Sequence, residues 1–139
     1  MFREDYLLRL IKQLADFVAR IAGYRQKGEF ERAQEEIERA RDELLGLPSG
    51  LVEVIDTPTL VSLLGHPDKL RAAARLFWEE GLVLRARRDP ITASSRFRRA
   101  FELYLEARAI DPIEDDTAAI LELSRLVPAS ELDERYRTG

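Results

Sequence analysis

One histidine, His66, and no cysteine are all this chain holds of the side chains that most often ligate metals or carry nucleophilic and neutral-pH proton chemistry. That stock excludes a disulfide scaffold, a thiolate zinc site, a cysteine nucleophile and any multi-histidine metal centre. His66 lies between Gly65 and Pro67, the setting of a turn residue with a structural role. The carboxylate pairs Glu35–Glu36, Glu79–Glu80 and Asp115–Asp116 are sequence neighbours, so on a helix each pair diverges by about 100°. No Glu-x-x-His motif accompanies them, which leaves a bundle-type metal site without support. Gly46-Leu47-Pro48-Ser49-Gly50 lacks the Gly-Lys-Ser/Thr ending that cradles phosphate. The expectation is a non-enzymatic protein with no catalytic residue, cofactor or metal.

Two other patterns point to binding. Arg75, Trp78, Leu82 and Arg85 follow one another at three, four and three residues, so they share one face of a helix. Tryptophan and arginine are over-represented among the residues that carry interface energy. Arg85, Arg87, Arg88, Arg96, Arg98 and Arg99 place six cations in fifteen residues, opposed there by Asp89 alone. That cluster reads either as an anion- or RNA-backbone patch or as a solvated surface paired with acids, such as the seven in residues 29–43. A net charge of −4 argues against bulk attraction to nucleic acid.

The elements that must position these residues are helices throughout. Within 139 residues, 45% hydrophobic and 35% charged, there is material for one globular domain with a core of its own. Leu7, Ile11, Leu14, Val18 and Ile21 alternate at four and three, predicting a first helix from Arg3 to about Gln26. Leu10, Phe17 and Tyr24 form a second row beside them, so this helix is apolar on two faces. Either a C-terminal helix over about Asp116–Val127 or a second subunit has to cover the excess, and Leu10 and Phe17 are the candidate self-association residues. Gly28 turns the chain into a second helix, Glu29–Leu45, which Gly46 and Pro48 stop. An irregular insertion, 47–66, holds a short helix opened by Thr57 as cap and Pro58. The second pair, 67–111, breaks at Asp89–Pro90 and ends at Asp111–Pro112. A C-terminal cap, 112–139, carries a helix over about Asp116–Val127 and a short one from Ser130. The apolar start is broken by Arg9, Lys12 and Asp16, too charged for a signal peptide or a spanning helix, so a cytoplasmic location is expected.

The two pairs echo one another. Phe17, Tyr24, Gly28, Phe30, Ala33, Ile37 and Ala40 are matched by Phe77, Gly81, Leu84, Ala93, Phe97, Ala100, Tyr104 and Ala107, with Ala33 and Ala93 sixty apart. Alanine and glycine at a crossing let antiparallel helices approach to about 8–10 Å while bulky neighbours interlock. This pattern resembles the tetratricopeptide (TPR) repeat. It departs from that repeat at Ile21, where glycine is usual, at Arg88 and Pro90 in the second turn, and in the late proline Pro112. The opening Met1-Phe2-Arg3-Glu4-Asp5-Tyr6-Leu7-Leu8-Arg9 is similar to the start of short, uncharacterised bacterial helical proteins, which implies no activity.

The resemblance implies an all-α architecture of two TPR-like antiparallel helix pairs with an inserted short helix and a C-terminal capping helix. It also implies that Arg75, Trp78, Leu82 and Arg85, with Arg25 on the first helix, line a groove that takes a protein or peptide partner. The apolar insertion 51–64 is one occupant of that groove and an outside peptide the other. The expected function is a protein-interaction or assembly module, self-associating as a dimer. The alternative is an anion- or RNA-contacting regulatory protein using Arg87, Arg88, Arg96, Arg98 and Arg99.

Overall fold

The computed structural model describes residues 2–137, with the side chains from residue 4 onward; Met1 and the last two residues of the expected cap, Thr138 and Gly139, lie outside the described residues. Six helices follow in order: α1 (Phe2–Gln26), α2 (Phe30–Leu45), α3 (Thr57–Leu64), α4 (Pro67–Ala86), α5 (Pro90–Ile110) and α6 (Glu114–Ser124). Short 3-10 turns occupy Leu51–Glu53, Ala129–Glu131 and Glu134–Tyr136, and there is no strand among the described residues. Val52 and Glu53 thus lie in a 3-10 turn, which Val54 and Ile55 leave through a turn and a bend.

α1 with α2 and α4 with α5 are antiparallel hairpins. In the first, Arg20 reaches Glu36 at 3.1 Å while Arg32 lies 6.0 Å from the Tyr24 ring, so numbers rise on one helix as they fall on the other. In the second, Trp78 meets Tyr104 and Arg85 meets Phe97 in the same sense. Both hairpins close by one device. The N–H of Glu29 bonds the Tyr24 carbonyl and that of Gly28 the Arg25 carbonyl; sixty residues on, Asp89 bonds Leu84 and Arg88 bonds Arg85. These are Schellman closures, whose penultimate residue must enter the left-handed region. Gly28 does so at φ +76°, whereas Arg88 does so at φ +68° against the cost of its Cβ.

The small residues do what their spacing predicts. Ala33, Ala40, Ala74, Ala93, Ala100 and Ala107 are all buried. Gly81 is the tightest crossing: a Cβ placed on it would lie 2.5 Å from Phe97 Cδ1 and 2.9 Å from Cζ. Ile21 holds the equivalent place in the first hairpin, which packs less closely than the second. α4 serves two cores at once. Ala72, Leu76 and Val83 join the α1–α2 cluster around Phe17, Ile21 and Ile37, while Leu70, Phe77 and Leu84 join a larger cluster with α3, α5 and the C-terminal segment.

Two boundaries differ from expectation. Asp56, not Thr57, caps α3, its Oδ1 accepting the Thr59 N–H at 2.9 Å. Thr57 is instead the first helical residue, buried, with its hydroxyl donating to Glu102 Oε1 at 2.6 Å. The last long helix runs Glu114–Ser124 rather than to Val127, because the N–H groups of Arg125 and Leu126 turn back to carbonyls three residues earlier and Pro128 follows. The chain after Pro128 makes single 3-10 turns in place of the short helix expected from Ser130, pinned by the buried side chains of Val127 and Leu132.

Candidate partner groove

Side chains on α4 fan outward from a common stripe and reach different surroundings. Trp78 is half-buried, edge-on to Tyr104 at 6.4 Å and 89°, with the Arg75 guanidinium 5.0 Å over its ring. Arg75 also pairs with Glu79 at 3.0 Å. Leu82 packs half-buried on the larger core, and Arg85 is exposed at the end of the helix over Phe97, so neither lines a groove with Trp78. Arg25 is half-buried with its Nε enclosed and unpaired. Of the five groove residues expected from sequence, the structure brings Arg75 and Trp78 together.

They form the floor of a cavity of about 460 Å³ running between α1 and α6. One wall is Leu10, Ile11 and Leu14 of α1; the other is Ile113, Ala118 and Ala119; Tyr104 closes the floor from α5. No residue of the insertion lines it: Val52, Leu60 and Leu64 are buried in the larger core and α3 packs on α5 and α4. The self-filled groove is therefore corrected, and this cavity is open.

A buried clasp holds the α6 wall in place. Arg71 donates to both oxygens of Asp116 at 2.8 and 2.9 Å, to Asp68 at 3.3 Å and to the Asp111 carbonyl. Asp116 Oδ2 also accepts the Ile113 N–H at 3.1 Å, satisfying a donor at the start of α6. Burial alone would raise the Asp116 carboxyl, but the bonds from Arg71 and Ile113 outweigh it and hold the group below its ordinary value. Burial pushes the Tyr104 phenol up to about 12, so it stays neutral at the groove floor.

The expected self-association residues are corrected too. Leu10 and Phe17 are each 4% exposed, inside the chain's own core, with Arg20 and Arg39 over the Phe17 ring. The large apolar residues that α1 turns to solvent include Leu8 at 66% and Ile11 at 58%, with Tyr6 nearby. The cationic cluster also divides. Arg87 and Arg88 are exposed at the turn, but Arg96 pairs with Glu80 at 2.9 Å and Glu53 at 3.7 Å. Arg99 donates to the Ile55 carbonyl at 2.9 Å and stacks over Phe77 at 5.7 Å, and Arg98 is half-buried with its Nε enclosed. Arg96 and Arg99 are held inward by Glu80, Glu53 and the Ile55 carbonyl, so the six arginines form no continuous basic face.

His66 caps α4, its Nδ1 accepting the Asp68 N–H at 3.1 Å. Among the described residues, no group of three or more His, Asp or Glu is placed to hold a metal ion, and no helix is long and apolar enough to cross a membrane. Sequence reasoning missed Arg71, Tyr104, Ile113 and Asp116. Arg71 sits one turn before Arg75, so extending the stripe upstream finds it; the others become neighbours through the tertiary packing of α6. Comparison of the chain with family models, with curated proteins and with solved structures finds no match to any of them.

Proposed function

We propose that this protein is a TPR-like interaction module whose α1–α4–α6 groove takes a segment of a protein partner. The observation that carries the reading is the groove itself: an open cavity of about 460 Å³ with apolar walls, an edge-on aromatic pair and charged side chains mostly paired within the chain, in the range usual for binding sites. The twin Schellman closures sixty residues apart and the buried alanines at both crossings support the TPR-like part. The test is specific capture by the full chain. A partner retained by wild type and by an Arg87→Ala/Arg88→Ala control, lost by Ile11→Glu, and able to shift Trp78 emission once purified fits the groove. A partner indifferent to Ile11→Glu does not.

The exposed Leu8 and Ile11 favour a second use of the same edge, self-association along α1. Light scattering on wild type and Leu8→Glu tests it: a dimer that becomes monomeric is the expected result, and an unchanged species rejects this edge.

A further inference from the structure

Resting on the groove reading above, we infer that the partner segment is an amphipathic α-helix with an apolar ridge and a Lys/Arg-rich edge facing α6. The first argument concerns backbone polarity. Arg71, Arg75 and Asp116 are already engaged within the chain: Arg71 with Asp116, Asp68 and the Asp111 carbonyl, Arg75 with Glu79, Asp116 with Arg71 and the Ile113 N–H. An extended segment laid against Ile11, Leu14, Trp78 and Ile113 would bring unsatisfied N–H and C=O groups to an apolar wall. A helix satisfies its own backbone and presents only side chains, the mode in which apolar grooves take helical ligands.

The second argument is charge. The lining holds the carboxylates Asp68, Asp115, Asp116 and Glu122 against two cations, Arg71 and Arg75. Both arginines are spent on carboxylates of this chain. Asp115 is exposed and has no ion-pair partner among the described residues. Glu122 pairs only with Arg125, both largely in water, a contact that exchanges at little cost. The acidic excess thus lies along α6, and a cationic edge on the incoming helix answers it.

The test uses three synthetic helical peptides with one leucine ridge and flanks of lysine, glutamine or glutamate, read by the emission of Trp78, the chain's single tryptophan. The lysine peptide should bind roughly tenfold more tightly than the glutamate twin at low salt, the gap closing as salt rises. Asp115→Asn with Glu122→Gln should erase the preference while leaving the glutamine peptide bound, and Ile11→Glu should weaken all three. Equal or tighter binding of the glutamate twin overturns the basic edge and leaves the groove reading standing. If none of the three moves Trp78, the helical occupant and the groove reading fall together.

Discussion

Arg41 of α2 and Glu80 of α4 are joined at 2.5 Å with both side chains almost sealed from water, and Arg96 of α5 reaches the same carboxylate oxygen at 2.9 Å. One acid therefore ties three helices, while the Arg41 guanidinium stacks 4.4 Å over Phe77. Removing one member of such a buried set costs about 3–5 kcal/mol, because the other stays desolvated. Glu80→Gln leaves two cations facing each other and should lose about that much. Arg41→Met leaves Glu80 with Arg96 and should lose distinctly less. In urea titrations the double variant should fall short of the sum of the singles; simple additivity would deny the coupling.

Gly81 and Gly23 both lie within helices, yet alanine should act on them with opposite signs. A Cβ at Gly81 meets the Phe97 ring at 2.5 Å, whereas one at Gly23 meets nothing within 4 Å. Overpacking costs about 1–3 kcal/mol, more than the roughly 1 kcal/mol alanine gains by helix propensity. Gly81→Ala should lower the melting temperature and Gly23→Ala should raise it slightly. A stabilised Gly81→Ala would mean that the second hairpin tolerates a wider crossing than the structure has.

These pairings explain what the sequence discloses and what it hides. The hairpins are legible because small residues recur at helical spacing within local segments, and Ala33 and Ala93 are indeed buried. Glycine, proline and aspartate mark the helix ends within a few residues, although Asp56 takes the cap that Thr57 was expected to fill. The groove is legible on α4, where periodicity alone puts Arg75 beside Trp78. Its far wall is not, since Asp116 joins Arg71 across 45 positions through a fold-wide contact. Arginine is ambiguous for a related reason. Its fork serves a surface patch or a buried carboxylate equally well, and only the placement of the insertion shows that Arg96 and Arg99 face inward.

Glu79 should make stability depend on pH in a direction opposite to most carboxylates. One of its oxygens meets Arg75 at 3.0 Å, and the other, Oε1, is enclosed without a donor. Burial pushes its carboxyl above the ordinary value of 4.5, and the charges of Arg75 and Arg25 only partly offset that. The folded protein then holds this proton more tightly than the unfolded chain, so stability falls as pH rises from 4.5 through the raised value and is level above it. Compared with wild type, Glu79→Gln should gain ground across that window and keep the gain at neutral pH. Chemical denaturation at a series of pH values reads the difference, and a gap that shrinks with rising pH contradicts it.

Glu102 closes the account of how the insertion and the C-terminal segment are held. It is buried on α5, accepting the Thr57 hydroxyl at 2.6 Å on one oxygen and the Asp133 N–H at 2.9 Å on the other. Thr57→Val keeps the shape of the side chain but leaves Oε1 of a buried carboxylate without that donor, which costs about 1–3 kcal/mol. Thr57→Ser retains the hydroxyl and should recover most of the loss. Asp56→Ala, by contrast, removes an exposed cap and should lower stability by the same amount whatever stands at 102. The discriminating measurement is the same pair of substitutions in a Glu102→Leu background. There the penalty for Thr57→Val should vanish while that for Asp56→Ala persists, and an unchanged Thr57→Val penalty would place its effect in α3 alone.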